Sequence, residues 1–283
     1  MTSDPTIFAT DHLRTHDFEW YAALQFAPAH QRPGLIALFA YLAEIARVRS
    51  LVSDPMPGEI RLQWWRDTLS GEAHGAVEAN PLASALLQAI DHDKLPTAPL
   101  LAVLYARTFD LYDDAMPSIA DFEGYGGEVW SSPMSLAASV LSDKSPAEFA
   151  DIAGHGGVAL TVARTLVHFS TWAGRGQCFL PTDLMQTHGL EREMFAQRRV
   201  TPALTETLRA FSAYGLNHID KASDAARGGT RSANSVWLPL ALARRTLQDV
   251  TSWALNPFVR PLTRPKWQRL FGLWRASKRH PVF

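Results

Sequence analysis

IALFAYLAEIARVRSLVSDPMPGEIRLQWWRDTL, residues 36–69, is the stretch that decides the fold class. Apolar side chains in its first half, together with the leucine before it, recur at the i, i+3, i+4 and i+7 spacing of one helix face. They are Leu35, Leu38, Phe39, Leu42 and Ile45. The run from Asp54 to Gly58 contains two prolines, which interrupt a helix. We therefore predict that a second helix begins near Glu59 and ends at Gly71.

The rest of the chain carries further helix signals. Asn80-Pro81, Thr97 and Thr201-Pro202 each precede an apolar run, as helix N-caps do. Ser145 to Glu148 has the Ser-x-x-Glu form of a capping box and predicts a long helix in the segment that follows. No stretch alternates apolar and polar residues between strand-type turns. The predicted fold is therefore all-α, a single domain of packed helices.

Composition excludes several classes of protein. The chain has 283 residues, of which 47% are hydrophobic and 19% charged, so it can build a core and disorder is not expected. A single cysteine, Cys178, excludes a disulfide scaffold and a cysteine-based metal site. No uninterrupted apolar stretch reaches the roughly 20 residues that span a bilayer. We expect a soluble, cytoplasmic protein without a signal peptide.

Charge is distributed unevenly along the chain. The formal net charge is −1, yet residues 257–283 hold seven basic and no acidic residues, so residues 1–256 have a net charge of −8. One helix face within this tail is formed by Trp267, Leu270, Phe271 and Trp274. A basic helix with such a face is typical of a segment that lies on a membrane surface. The tail either docks on the acidic body as a final helix or attaches the protein peripherally to the inner (cytoplasmic) membrane. Nucleic-acid binding is not predicted, because the basic residues follow no known motif.

Three segments resemble successive blocks of the squalene/phytoene synthase family, in the same order and spacing. They are residues 36–69, 121–141 (DFEGYGGEVWSSPMSLAASVL) and 158–190 (VALTVARTLVHFSTWAGRGQCFLPTDLMQTHGL). The run RGQCFLP from Arg175 to Pro181, followed by Asp183-Leu184, is the most specific element and is similar to the family's RGRVYLP-x-D-L segment. The resemblance implies an isoprenoid-synthase-like helical bundle over residues 18–250, after an N-terminal segment (1–17) and before the basic amphipathic tail (251–283).

The resemblance also implies where catalytic residues should lie. Enzymes of this family join two allylic diphosphates with magnesium ions, which two aspartate-rich motifs hold on facing helices. Magnesium prefers oxygen ligands, and carboxylates at i and i+4 share one helix face. The corresponding positions in this chain are Ala46, Arg47 and Ser50 in the first window and His168, Thr171 and Trp172 in the second. Neither window holds a carboxylate, so we predict no catalytic residue, no metal site and no cofactor.

The pattern that replaces the first motif has a resemblance of its own. Residues 44–48 (EIARV), 52–54 (VSD) and 61–66 (RLQWWR) resemble a branch of the family whose members lack the aspartates and are associated with the assembly of respiratory complex I. This resemblance implies a catalytically inactive protein that acts as a binding or assembly factor, with subunits of the respiratory complex as partners.

Two other functions stay open at this point. Asp110, Asp113 and Asp114 lie at helical spacing and could form a relocated magnesium site of a prenyltransferase, or they could be a solvated helix end. The second alternative is a non-catalytic carrier of an isoprenoid or other lipid, which would need an open apolar cavity.

Arginines and aromatic residues near the expected cavity have two interpretations each. Arginines could bind a diphosphate directly through forked hydrogen bonds, or they could face solvent or pair with nearby carboxylates such as Glu44, Glu59 and Asp67. These arginines are Arg47, Arg49, Arg164 and Arg175. Aromatic side chains could line the cavity or pack in the core. These aromatic residues are Tyr41, Trp65, Tyr125 and Trp130.

Overall fold

The computed structural model describes residues 4–112, 114–142, 144–192, 197–259 and 262–283. All regular elements within these ranges are helical, which confirms the predicted all-α fold. The longer helices are, in chain order, α1 (Pro5–His16), α2 (Phe18–Leu24), α3 (Arg32–Arg47), α4 (Pro55–Ser70), α5 (Pro81–Asp93), α6 (Ala98–Thr108), α7 (Ile119–Gly126), α8 (Ser132–Val140), α9 (Ala150–Ala173), α10 (Thr182–Thr187), α11 (Pro202–Ala226), α12 (Asn234–Trp253) and α13 (Lys266–Ser277).

Contacts divide the chain into two compact units, each built from three segments. The first unit comprises Met1–Tyr112, Ser132–Phe149 and Thr230–Val236, and the second comprises Asp113–Ser131, Ala150–Gly229 and Trp237–Phe283. The predicted segment boundaries after residues 17 and 250 stay predictions.

Helix α3 is the centre of the first unit. It packs against α1 and α5, and its apolar positions are buried, as the helical spacing in the sequence predicts. Trp20 of α2 stacks on Phe39 of α3, with ring centroids 3.7 Å apart. Tyr41 is also buried, and its hydroxyl donates to the carbonyl of Leu100 over 2.9 Å. The end of α3, which carries the first degenerate window, therefore extends from a packed core.

The start of α4 differs from the sequence prediction. We predicted a helix from near Glu59, but α4 begins at Pro55. Both prolines lie in the first turn, where the backbone N–H groups have no partner within the helix, so a proline there costs little. The predicted end is confirmed, because Gly71 adopts a left-handed conformation (φ 75°) and closes the helix.

In the second unit, α9 packs along α11 and against the π-helical turn Gly127–Ser131. A Cβ atom added at Gly157 would lie 2.6 Å from the backbone nitrogen of Ser131. Such a contact is shorter than side chains tolerate, so this approach requires glycine. The absence of one side chain in the first half of α9 thus lets two backbones meet.

Two of the three predicted N-caps are confirmed, whereas the side chain of Thr97, which precedes α6, makes no cap hydrogen bond. Asn80 accepts from the backbone N–H groups of Leu82 and Ala83, and Thr201 accepts from that of Leu204. The carboxylate of Glu148 accepts from the N–H of Ser145, although a 3-10 turn precedes α9 there. None of the described helices combines the length and the apolar character that crossing a membrane requires.

Candidate functional site

The first degenerate window lies at the end of α3 and contains an ion-pair network. The Arg47 guanidinium lies 3.1 Å from Oε2 of Glu44, and Nε2 of His12 lies 3.2 Å from the same oxygen. Burial opposes ionisation of this carboxylate, but His12 and Arg47 outweigh it and hold the pKa of Glu44 below its ordinary value. The carboxylate nearest to this window is therefore already occupied by two basic side chains.

The remaining positions of the first window carry no metal ligand. Ala46 is half-buried, and Ser50 is exposed and donates to the carbonyl of Arg47 over 2.6 Å. Arg49 donates to the carbonyl of Val52 over 3.3 Å. Of the carboxylates that we named as alternative partners for these arginines, Glu44 is confirmed, whereas Glu59 accepts from Tyr112 and Asp67 from Gln63.

The second degenerate window lies at the end of α9. His168 and Thr171 are exposed, and the Trp172 ring packs against Phe179 with centroids 4.4 Å apart. The sequence from residue 152 to residue 182 contains no acidic residue. The helix face that would present aspartates in an enzyme of this type therefore presents an imidazole, a hydroxyl and an indole.

The acidic cluster that we considered as a replacement does not assemble in the part that the structure describes. Asp110 is buried and lies 2.9 Å from the guanidinium of Arg107. Asp114 is exposed, and Asp113 lies outside the described residues. Nowhere in the described ranges do three His, Cys, Asp or Glu side chains converge as metal ligands. Magnesium takes six oxygen ligands in near-octahedral geometry, and the two described members of this set, Asp110 and Asp114, are not part of such a group of ligands.

Two of the predicted cavity-lining aromatics lie in the core of the first unit. The rings of Tyr41 and Trp65 meet edge to face, 5.1 Å apart. Burial raises the pKa of the Tyr41 hydroxyl well above its ordinary value. This phenol is therefore a neutral hydrogen-bond donor in the core. Its cavity-lining role stays a prediction, as does that of Trp65.

The second unit holds the other two aromatics. Trp130 is buried, and the Arg164 guanidinium lies 4.5 Å from the centre of its ring, a cation–π contact. Tyr125 is half-buried on α7, and Arg175 is exposed just after α9. The structure thus pairs one of the predicted anion-binding arginines with one of the predicted aromatics, a pairing that the sequence did not suggest.

The RGQCFLP run makes a turn that joins two parts of the second unit. Gly176 has a φ of 78°, which explains the glycine at this position of the motif. Thr182, which follows the run, donates to the carbonyl of Met116 through its N–H and its hydroxyl, both over 2.9 Å. Asp183 accepts from the N–H of Ile119 at the start of α7. The motif therefore has a structural role at the beginning of α7.

A chain of polar side chains in the second unit was missed at the sequence level. Tyr214 and His218 lie one turn apart on α11, and both contact Oε1 of Glu123, the first by donating a hydrogen bond and the second over 3.5 Å. His155 of α9 continues the chain, with its Nδ1 3.2 Å from Nδ1 of His218. The i, i+4 spacing of Tyr214 and His218 was the only local signal, because Glu123 and His155 are distant in sequence.

Burial and neighbouring groups alter the acid–base behaviour of this chain. Burial, reinforced by the adjacent Glu123 carboxylate, raises the pKa of Tyr214 far above its ordinary value. Burial and the neighbouring His155 lower the pKa of His218, with an opposing effect from Glu123. At neutral pH the phenol is therefore a donor and His218 is neutral.

Comparison with known proteins accounts for the helical fold. Residues 13–270 match the family model described as squalene/phytoene synthase. The chain belongs to the squalene/phytoene synthase family. A dehydrosqualene synthase whose crystal structure was determined in complex with a ligand has the same fold, with a TM-score of 0.79 at 16% sequence identity, covering 97% of this chain and 96% of that chain.

Curated relatives within the squalene/phytoene synthase family carry the name NADH dehydrogenase (ubiquinone) complex I, assembly factor 6. The protein from Homo sapiens is 30% identical over 202 residues, which cover 69% of this chain and 60% of that protein. The protein from Rattus norvegicus is 31% identical over 196 residues, which cover 69% and 58%. The match thus spans about three fifths of the length of these relatives.

Proposed function

We propose that this member of the squalene/phytoene synthase family is catalytically inactive and acts as a binding or assembly factor. The observation that carries the proposal is the ion-pair network at the end of α3, where Arg47 and His12 share the carboxylate of Glu44. A guanidinium stands where a magnesium ligand would be needed, and the nearest acid is bound to it. Repulsion between the guanidinium and a divalent cation opposes metal binding at this position.

The second window supports the same proposal independently. A diphosphate leaves only if its charge is neutralised, and an exposed imidazole, a hydroxyl and an indole supply no anionic ligand for the ion that would do this. The prenyltransferase alternative required Asp110 as a ligand, and Arg107 holds that carboxylate in a largely buried ion pair. No cofactor is therefore part of the proposed function.

The relatives supply the partner class of the proposal. Because the human and rat proteins are named as assembly factors of complex I, we propose subunits of the respiratory complex as the partners of this chain. Peripheral attachment at the inner (cytoplasmic) membrane is part of the proposed role, since a membrane complex is assembled there. An isoprenoid or lipid ligand, bound without chemistry, stays a prediction that the assay below also tests.

A product assay tests catalytic inactivity directly. The full chain is incubated with farnesyl or geranylgeranyl diphosphate and magnesium, beside an active squalene synthase as the positive control. We expect no condensation product from this chain, and a product above the buffer blank would overturn the proposal. Titration of the same diphosphates without magnesium tests the ligand, since magnesium-independent binding that Arg164→Gln abolishes is the result a carrier predicts.

A genetic experiment tests the assembly role. Deletion of the gene in the source organism should lower the amount of assembled complex I and the NADH:quinone activity of its membranes. The wild-type gene should restore both, and so should an Asp183→Asn variant, which changes a structural contact outside both windows. Normal complex I in the deletion strain would contradict the assembly role without bearing on the product assay.

A further inference from the structure

Helix α13 docks on the second unit through a face that a glycine, a leucine and an alanine form. Gly272, Leu273 and Ala276 are buried. A Cβ atom at Gly272 would lie 3.1 Å from Cδ2 of Leu242 and 3.4 Å from a guanidinium nitrogen of Arg245, both on α12. The glycine thus brings the backbone of α13 close to α12. The docked face is therefore not the aromatic face that Trp267, Leu270, Phe271 and Trp274 form.

The aromatic face of α13 points away from this contact. At about 100° per residue, its residues lie on the opposite side of the helix from Gly272, Leu273 and Ala276. Their exposed fractions are 67% for Trp267, 47% for Leu270, 54% for Phe271 and 52% for Trp274. A docked terminal helix would ordinarily bury its largest apolar side chains, because they gain most from leaving water. Four large apolar side chains in one exposed row indicate a surface that meets another apolar phase.

Cations surround this face. Lys266 and Arg275 flank it at about 90° on either side, and both are exposed. Nζ of Lys278 lies 6.0 Å from the ring centre of Trp274, at the edge of the face itself. Residues 257–283 contain no acidic side chain. An ion pair between Arg264 and Asp249 of α12 lies before α13 and helps to hold the tail on the second unit.

We propose that docked α13 binds an anionic lipid surface, lying in its plane with Trp267, Leu270, Phe271 and Trp274 inserted. Indole rings and aliphatic side chains partition into the headgroup boundary, and the flanking cations face lipid phosphates. The face with Gly272 stays on α12, so the whole second unit is carried to the membrane. This inference rests on the peripheral location proposed above, names its lipid chemistry and its residues, and is independent of catalytic inactivity.

Flotation with vesicles tests the proposal. The full chain is mixed with vesicles of phosphatidylcholine alone, or of phosphatidylcholine containing one fifth phosphatidylglycerol. We expect flotation with the anionic vesicles, little with the neutral ones, and a decrease as salt is raised. Lys266→Gln/Arg275→Gln/Lys278→Gln should weaken partitioning about a hundredfold, because each cation near an anionic leaflet contributes roughly fivefold.

Two further variants distinguish insertion of the aromatic face from non-specific adsorption of exposed apolar side chains. Trp267→Gln/Phe271→Gln should also lose flotation. Met56→Gln/Ile60→Gln is the matched control, because it removes two side chains of α4 that are 71% and 65% exposed. The control should float like the wild type. All substituted residues are exposed, and thermal unfolding followed by circular dichroism verifies that each variant is folded.

Brominated lipids report the orientation of the bound helix. Bromine quenches the emission of indoles that enter the acyl boundary. Trp267→Phe/Trp274→Phe should keep flotation but lose most of the quenching. Unchanged quenching in this variant, equal flotation of the wild type and the aromatic-face variant, or retention by duplex DNA in place of vesicles would overturn the proposal. The proposal would also be overturned if the chain did not float with vesicles and instead associated with itself through the aromatic face. None of these outcomes alters the result of the product assay.

Discussion

The Nδ1 atoms of His155 and His218 lie 3.2 Å apart, with the two rings nearly perpendicular. At this distance one nitrogen must donate and the other accept, so the contact holds one proton between two imidazoles. The pair joins α9 to α11 inside the second unit, and Glu123 and Tyr214 continue the contact on the other side of His218. Protonation of both imidazoles would place two like charges in contact.

The contact between His155 and His218 predicts that the second unit loses stability at acidic pH. Burial, His155 and Lys221 lower the pKa of His218 against the opposing effect of Glu123. As the pH falls from about 6.5 towards the lowered pKa of the folded chain, the unfolded chain therefore binds a proton that the folded chain does not, and the free energy of unfolding falls. His218→Gln should reduce this dependence by at most about 1.4 kcal/mol per pH unit, the value for one proton. Urea unfolding at pH 7.5 and 5.5 measures it.

The control for this experiment is His74→Gln, since His74 is exposed. It should keep the pH dependence of the wild type. If His218→Gln and the wild type lose stability in parallel on acidification, His218 does not carry the effect.

The network at the end of α3 predicts a loss of stability when its shared carboxylate is neutralised. Glu44→Gln should lower the free energy of unfolding by about 1–2 kcal/mol at pH 7, because His12 and Arg47 then keep their polar groups in a partly buried place without an anion. The pKa of Glu44 is lowered in the folded chain. Its contribution is therefore present above a pH of about 4.5 and lost as the pH falls through the folded pKa.

Unfolding experiments at pH 7 and pH 3.5 test the prediction, and the gap between variant and wild type should narrow at the lower pH. Glu148→Gln is the matched control, because Glu148 is half-exposed and pairs with Lys144 over 3.6 Å. It should change stability by less than about 0.5 kcal/mol. If both substitutions lowered the free energy of unfolding equally, the network at the end of α3 would contribute no more than an exposed ion pair.

Two glycines of α9 predict opposite effects of the same substitution. Gly157→Ala should destabilise by about 2–3 kcal/mol, because its methyl group would meet the backbone of Ser131. Gly154→Ala should stabilise by about 0.5–1 kcal/mol, since no atom lies within 4 Å of the added carbon and alanine favours the helix. Thermal unfolding of the two variants measures both changes in stability. A Gly157→Ala protein as stable as the wild type would contradict the close approach of α9 to Ser131.

A substitution at Gly272 tests the docking of α13 on α12 without changing the aromatic face. Gly272→Leu should displace the helix from α12, because an isobutyl group does not fit 3.1 Å from Leu242. We expect amide exchange over residues 266–277 to accelerate at least about tenfold, with little change in the overall unfolding midpoint. Leu270→Ala, an exposed position of the same helix, should leave exchange near that of the wild type. Unaltered exchange in Gly272→Leu would contradict the docked position.

Prediction from sequence succeeded where the signal is local. Helical spacing in residues 36–69 and the cap at Asn80 depend on neighbours within a turn, and the structure confirms both. The predicted start of α4 was wrong because two prolines were taken to interrupt the helix, although the first turn of a helix accepts proline. The polar chain around His218 could not be predicted, since its members come from three helices and two of them, Glu123 and His218, are 95 positions apart in the sequence.

The sequence alone determined that neither window holds a carboxylate, because residue order fixes which side chain stands at each position. It also determined that α13 has an aromatic face flanked by cations, since helical periodicity follows from residue order. Only the tertiary structure decided that Arg47 shares Glu44 with His12, and that α13 docks by Gly272 with Trp267 and Trp274 exposed. Periodicity defines the faces of a helix, whereas the fit of a bare glycine backbone against Leu242 selects the face that is covered.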